Sequence, residues 1–181
     1  MKKRLPNEIG RLDVEAFRDS EKLPLLLVLD NIRSALNVGS VFRTADAFAV
    51  EGLLLCGITA CPPHREIHKT ALGSTESVSW SYRPDVVQAL QELKGRGYRI
   101  LAVEQVEPSI ALHTFEVEEG CRYAFVLGNE VEGVSTAAIG CCDGAVEIPQ
   151  FGTKHSLNVA VAAGVVAWEF ARKSRLARAQ R

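Results

Sequence analysis

The apolar positions of this chain fall into short, dense runs separated by stretches with helical spacing. PLLLVLD (Pro24 to Asp30), GLLLCGI (Gly52 to Ile58), YRILAVE (Tyr98 to Glu104), YAFVL (Tyr123 to Leu127) and AVEI (Ala145 to Ile148) are too short and too uniformly apolar for amphipathic helices. Such runs predict strands covered on both faces, and Ser77 to Tyr82 predicts a further short one. Between them, Asn37 to about Phe48, Pro84 to Lys94, Thr136 to Gly140 and Ser156 past Phe170 predict helices. Asn37 and Ser156 are candidate N-caps for the first and last of these, and Gly95 and Gly97 mark the end of the second. Residues 7–23, with Ile9, Leu12, Val14 and Phe17 at helical intervals, predict an amphipathic N-terminal helix. Strands alternating with helices predict an α/β fold, a mostly parallel sheet with helices on both faces. A ligand site then belongs at the carboxyl ends of the strands. The expected division is a helical extension over 1–23, one domain over 24–170 and a basic tail over 171–181.

Composition narrows the class. With 181 residues and 47% hydrophobic content, the chain can bury one sizeable core. No apolar run reaches the length of a membrane span, and the basic MKKRLPNEIG start has no apolar segment behind it, so a signal peptide is not expected. The five cysteines form no CxxC pair and no zinc spacing, so they are expected to be reduced thiols in a cytoplasmic protein. HREIH (His64 to His68) is not HExxH, and no metal site is expected. The net charge of −1 argues against a nucleic-acid partner until its distribution is considered. Lys2, Lys3 and Arg4 form one basic cluster; His64, Arg65, His68 and Lys69 form another. Arg172, Lys173, Arg175, Arg178 and Arg181 form a third, with no acid among them. Each alone reads as a solvated face; the three together predict a localised phosphate-binding surface.

Three segments carry candidate chemistry: NVGSVFRTA (Asn37 to Ala45), LGNEVEGVS (Leu127 to Ser135) and IPQFGTKHSLNV (Ile148 to Val159). The third leaves a strand through Pro149 and Gly152 and enters a helix rich in small residues, a shape suited to holding a ligand with main-chain groups. The second spaces Gly128 and Gly133 like a phosphate loop, but lacks both GxGxxG and a GK[ST] ending, which disfavours a dinucleotide oxidoreductase or a P-loop NTPase. In the first, Arg43 stands one turn beyond Gly39. Taken alone, Arg43 is an exposed charge on an apolar helix and the second segment a glycine-capped turn.

In this order and at these separations, the segments resemble the SpoU (TrmH-like) family of RNA ribose 2′-O-methyltransferases, over about Pro24 to Phe170. The resemblance implies the SPOUT fold with a deep trefoil knot, a homodimer whose partner subunit completes the site, and S-adenosyl-L-methionine as methyl donor. It implies that Val103, Glu104, Leu127, Gly128, Asn129, Gly133, Ile148, Pro149 and Leu157 hold the donor, largely through main chain. Arg43, Asn37, Glu130, Ser156 and Asn158 match the catalytic set. An arginine is a poor base at its ordinary proton affinity, so Arg43 is either a phosphate clamp or a base assisted by a neighbour. His64, Arg65, Lys69, Arg172, Lys173, Arg175 and Arg178 are the expected RNA contacts, with Ser74, Thr75 and Ser77 as further phosphate donors. The short segment before the first strand and the basic termini point to tRNA, at a D-loop guanosine, ahead of rRNA or the tRNA wobble nucleotide. A non-catalytic RNA-binding member is the alternative, disfavoured because all five catalytic matches are present.

Overall fold

The computed structural model describes residues 1–5, 8 and 10–176. Seven strands form one sheet: β1 (Leu23–Asp30), β2 (Val50–Cys56), β3 (Trp80–Arg83), β4 (Tyr98–Val103), β5 (Ile110–Ala111), β6 (Arg122–Gly128) and β7 (Gly144–Glu147). Their order is β3-β2-β1-β6-β4-β7-β5, with every pairing parallel. The helices are α1 (Val14–Asp19), α2 (Ala35–Ala47), α3 (Arg65–Ala71), α4 (Ser74–Ser77), α5 (Val86–Gly95), α6 (Thr136–Ile139) and α7 (Val159–Ala171), the last continued by a π-helical turn, Arg172–Leu176. The expected parallel α/β sheet is therefore present, and its strand order is consistent with a knotted trace.

The two-residue period of the strands sorts the core into two layers. Leu25, Leu27 and Leu29 of β1, Leu53 and Leu55 of β2, and Tyr123, Phe125 and Leu127 of β6 bury one face together with residues of α2 and α7. Val28, Leu54, Ile100, Ala102, Ala124 and Val126 bury the other with α5 and α6. Phe115, Tyr123, Phe125 and Phe170 meet edge to face at 5.5 to 6.3 Å, an arrangement that adds to their burial energy. α2 and α7 run side by side in the same direction: Asn37 bonds Asn158 at their N-terminal ends, and Phe48 lies 6.2 Å from Trp168 at their C-terminal ends.

Several expected boundaries shift for local reasons. The N-terminal helix is only six residues long and buries no side chain, because Gly10 turns the chain at φ +62° and Asp13 caps a new start. Ile9 lies outside the described residues. Ser34, not Asn37, caps α2, accepting from the Asn37 N–H at 3.3 Å. Asn158, not Ser156, caps α7, accepting from Ala160 N at 2.9 Å. The Ser77–Tyr82 strand begins at Trp80, since Ser74–Ser77 form a helical turn. α3 was not expected at all; its seven residues are capped by His64 Nδ1, which accepts from Glu66 N at 3.2 Å.

The basic tail departs most from expectation. Lys173 is a clamp and not an RNA contact: its ammonium donates to the carbonyls of Leu112 (3.0 Å), His113 (2.9 Å) and Phe115, and pairs with Glu169 at 3.2 Å. Arg172 is also held by Glu169, through two bonds of 2.8 and 2.7 Å, and Arg175 donates to the Glu21 carbonyl at 2.6 Å. Arg178 and Arg181 lie outside the described residues. Lys173→Met should lower stability by about 1–3 kcal/mol in urea unfolding, because three carbonyls lose a charged donor. Hydrogen bonds from Arg172 and then Lys173 hold the Glu169 carboxyl down at about 2 against its burial. A depressed folded-state value stabilises fully above the unfolded value near 4.5, and that contribution is lost as pH falls through about 2. Glu169→Gln should accordingly flatten the acid limb of a stability–pH curve between these values.

Candidate functional site

Adjacent strands β6, β4 and β7 end at the rim of a cleft of about 350 Å³. Val103 and Glu104 follow from β4, Leu127 to Gly133 from β6, and Glu147 and Ile148 from β7; His155, Ser156, Leu157 and Val159 close it from the segment entering α7. Of the residues expected to hold the donor, all but Pro149 line this space; Pro149 is exposed between two lining residues, Ile148 and Gln150.

The loop after β6 is fixed from inside and behind. The Asn129 side-chain oxygen accepts from Val131 N and Glu132 N, both at 2.9 Å, making a tight turn whose residues Glu130 to Gly133 line the cleft. Glu104 Oε2 accepts from Val134 N at 2.9 Å, and the buried Asp30 Oδ2 accepts from Ser135 N at 3.0 Å. Two carboxylates, at the ends of the two strands that flank β6, thus tie the far end of the loop to the sheet. A Cβ on Gly128 would overlap the backbone of Gly133 and Val134, so only glycine lets the two arms of the loop close. Gly133, at φ +68°, meets the Glu104 carboxylate in the same way.

Across the rim, the three sequence segments meet through side chains. Asn37 Nδ2 donates to Glu130 Oε1 at 2.6 Å, and Asn158 Nδ2 donates to Asn37 Oδ1 at 3.1 Å. Because Ser34 already caps α2, Asn37 is free to bridge, and because Asn158 caps α7, its amide is fixed in orientation. Glu130 lines the cleft; Asn37 and Asn158 stand behind it; Ser156 is exposed on the lining. The structure therefore gathers four of the five residues matched to catalysis. Arg43 is the exception: exposed, with no hydrogen bond or ion pair among the described residues, and not part of the cleft wall.

Gly39 has a role the helical spacing does not reveal. A Cβ there would overlap Thr70 Oγ1 and the Ile67 carbonyl, so this glycine lets α3 press against α2. Of the three expected RNA contacts here, Arg65 and Lys69 are exposed on α3, and His64 is exposed as its cap. Ser74 and Ser77 are buried and bonded to Ala71 O and Asp46, which removes them as phosphate donors. Sequence reading missed Asp30, Glu132, Glu147, Gln150 and His155; for Asp30 the signal was an acid closing an otherwise apolar strand.

The SpoU rRNA Methylase family matches residues 24–168. The chain belongs to this family. The 23S rRNA (guanosine-2′-O-)-methyltransferase RlmB of Neisseria meningitidis serogroup B is 34% identical over 150 residues, 83% of this chain and 59% of that protein. The chain spans about three fifths of the length of the curated relatives it matches. Among solved structures, the TrmH/SpoU tRNA modifying enzyme of A. aeolicus superposes with a TM-score of 0.79 at 27% identity, over 91% of this chain and 84% of that one. The SpoU methyltransferase AviRb of Streptomyces viridochromogenes, crystallised with AdoMet, superposes at 0.77 with 25% identity, over 91% and 65%.

Proposed function

We propose that this chain transfers the methyl group of S-adenosylmethionine to a ribose 2′-oxygen of structured RNA. The observation that carries the reading is the Glu130–Asn37–Asn158 chain of hydrogen bonds at the rim of the cleft where β4, β6 and β7 end, in a member of the SpoU family. The residues present fit the donor. Leu127, Ile148, Leu157 and Ala162 give apolar walls for an adenine, and the loop after β6 runs along its edge. Glu104, Glu130, Glu132 and Glu147 surround the cleft with carboxylates, favourable for a ligand carrying a sulfonium and an ammonium.

The donor supplies an electrophilic methyl. In the transfer, a sulfur–methyl bond breaks, an oxygen–methyl bond forms and the 2′-hydroxyl proton leaves. The protein's part is to orient and to accept or shield charge. Glu130, fixed by Asn37, is placed to accept a hydrogen bond from a ribose or an arginine, and Ser156 is free to bond the same sugar. Arg43, unpaired on α2, is available to an RNA phosphate or the reacting hydroxyl.

A homodimer fits the surface. Val161, Val165 and Trp168 form an exposed stripe on α7, at 53%, 37% and 50% exposure, while Leu36 on neighbouring α2 is 42% exposed. Such a stripe beside a site whose arginine stands apart is what a second copy would cover. Lys173 is taken up inside the fold, while Arg172 and Arg175 hold fold contacts yet remain exposed, so the tail supports tRNA less strongly than its charge alone suggests. The candidate targets are the D-loop guanosine of tRNA, rRNA and the tRNA wobble nucleotide; the similarity to RlmB favours rRNA.

Labelled S-adenosylmethionine incubated with the protein and total RNA should mark one RNA class. The modified site should resist alkaline cleavage, as a 2′-O-methylated linkage must. RNA binding without label would make the protein a non-catalytic binder, and an alkali-labile labelled position would move the chemistry to a base.

A further inference from the structure

We propose that Phe151 is a base-stacking platform at the mouth of the cleft, recognising an unstacked nucleobase of the RNA. This rests on the reading of the cleft as an RNA-modifying site.

Of the seven phenylalanines, six have a ring or cation partner. Phe42 meets Trp80, Phe48 meets Trp168, Phe115, Phe125 and Phe170 share the core cluster, and Lys22 lies 4.0 Å above Phe17. Among the described residues Phe151 has none, and it is 98% exposed. It nevertheless stands within a segment that borders the cleft. Gln150 before it and His155 and Ser156 after it line the cleft, and the segment is anchored by β7 on one side and the Asn158 cap of α7 on the other. No acid occurs from Ile148 to Asn158, while Lys154 and His155 follow the ring within four residues. Lys154 is exposed and has no hydrogen bond or ion pair among the described residues.

A bare aromatic face with an unpaired cation three residues along the chain is chemistry with which proteins hold single-stranded nucleotides: the ring takes the π-face of a base and the cation takes a nearby phosphate. A ribose can enter the cleft only if its nucleotide is out of the helical stack, and that exposes bases for Phe151 to cover. The ring is off the cleft wall, so it acts on RNA affinity and choice of nucleotide, not on the donor.

The test uses the full chain with two short RNA probes, an oligoadenylate and an abasic oligomer of equal length. Phe151→Leu keeps the apolar bulk and removes the π-face; it should bind oligoadenylate roughly ten- to a hundredfold more weakly. It should bind the abasic oligomer like the native protein, with an unchanged salt slope. Phe151→Trp should restore oligoadenylate binding. Lys154→Ala should instead weaken both probes and reduce the salt slope by roughly 0.7. Equal oligoadenylate affinity for the native and Phe151→Leu proteins would overturn the proposal, as would equal losses on both probes. Calorimetry with S-adenosylmethionine should give one affinity for the native protein and Phe151→Leu; a loss confined to this ligand would place the ring on the donor and overturn the proposal. Labelling of total RNA separates this outcome from the transfer reading, which stands or falls on the native protein alone.

Discussion

Arg43→Ala should lose at least about a hundredfold in methyl transfer while keeping its affinity for S-adenosylmethionine, because the residue is outside the cleft wall and pairs with nothing in the described chain. Its removal leaves no buried partner unsatisfied, so thermal stability should be unchanged, which separates a role in chemistry from one in folding. Arg43→Lys should remain poor, since an ammonium cannot present the planar two-pronged donor set of a guanidinium. The exposed position also predicts where the arginine acts. If a second copy covers the α2–α7 face, Arg43 can reach the cleft across the interface. Mixing Arg43→Ala chains with chains defective at Gly128 should then regain about a quarter of native activity, since half the dimers are mixed and each has one intact site of two. Near-native turnover of Arg43→Ala alone would return the residue to a plain surface charge. No recovery on mixing would place it on its own cleft.

The sheet, and the end of it at which the cleft opens, were legible because uniformly apolar runs have few alternatives to buried parallel strands. The site was legible for a different reason: its residues cluster in three short segments with distinctive spacing, and the fold brings those segments together. What escaped depends on tertiary context. Whether Asn37 caps its helix or bridges to Glu130 is decided by Ser34, which starts the helix three residues earlier by accepting from the Asn37 N–H and so leaves the Asn37 side chain to donate to Glu130. Whether Lys173 meets RNA or three carbonyls is decided by where the 112–115 segment runs, and a string of basic residues says nothing about that. Gly39 appeared as space beside Arg43, and its reason is the α3 backbone pressed against it, from a helix that the local pattern did not announce. Asp30 and Glu104 hold the loop after β6 from strands 105 and 30 residues away from their partners, a distance at which sequence spacing carries no signal.

The other large effect is expected at Gly128. Its missing Cβ is where the Gly133 and Val134 backbone passes, so Gly128→Ala must push the two arms of the loop apart. The bonds to Glu104 and Asp30 would then be strained or released, and the turn organised by Asn129 would lose its aim. If the donor is held by several main-chain hydrogen bonds of about 1–3 kcal/mol each, losing two should weaken S-adenosylmethionine roughly a hundredfold or more. Gly128→Val should abolish binding. The damage lies in a loop at the sheet's end while β6 stays paired on both sides, so cooperative unfolding in urea should persist with a lowered midpoint. Gly133→Ala offers an independent check: the residue adopts φ +68° and faces a movable carboxylate, so strain of about 1–2 kcal/mol and a smaller loss of affinity are expected. Calorimetry on the three variants should therefore rank affinity as native, then Gly133→Ala, then Gly128→Ala, with none measurable for Gly128→Val. Unchanged affinity in a folded Gly128→Ala protein would mean that the donor does not bind in this cleft.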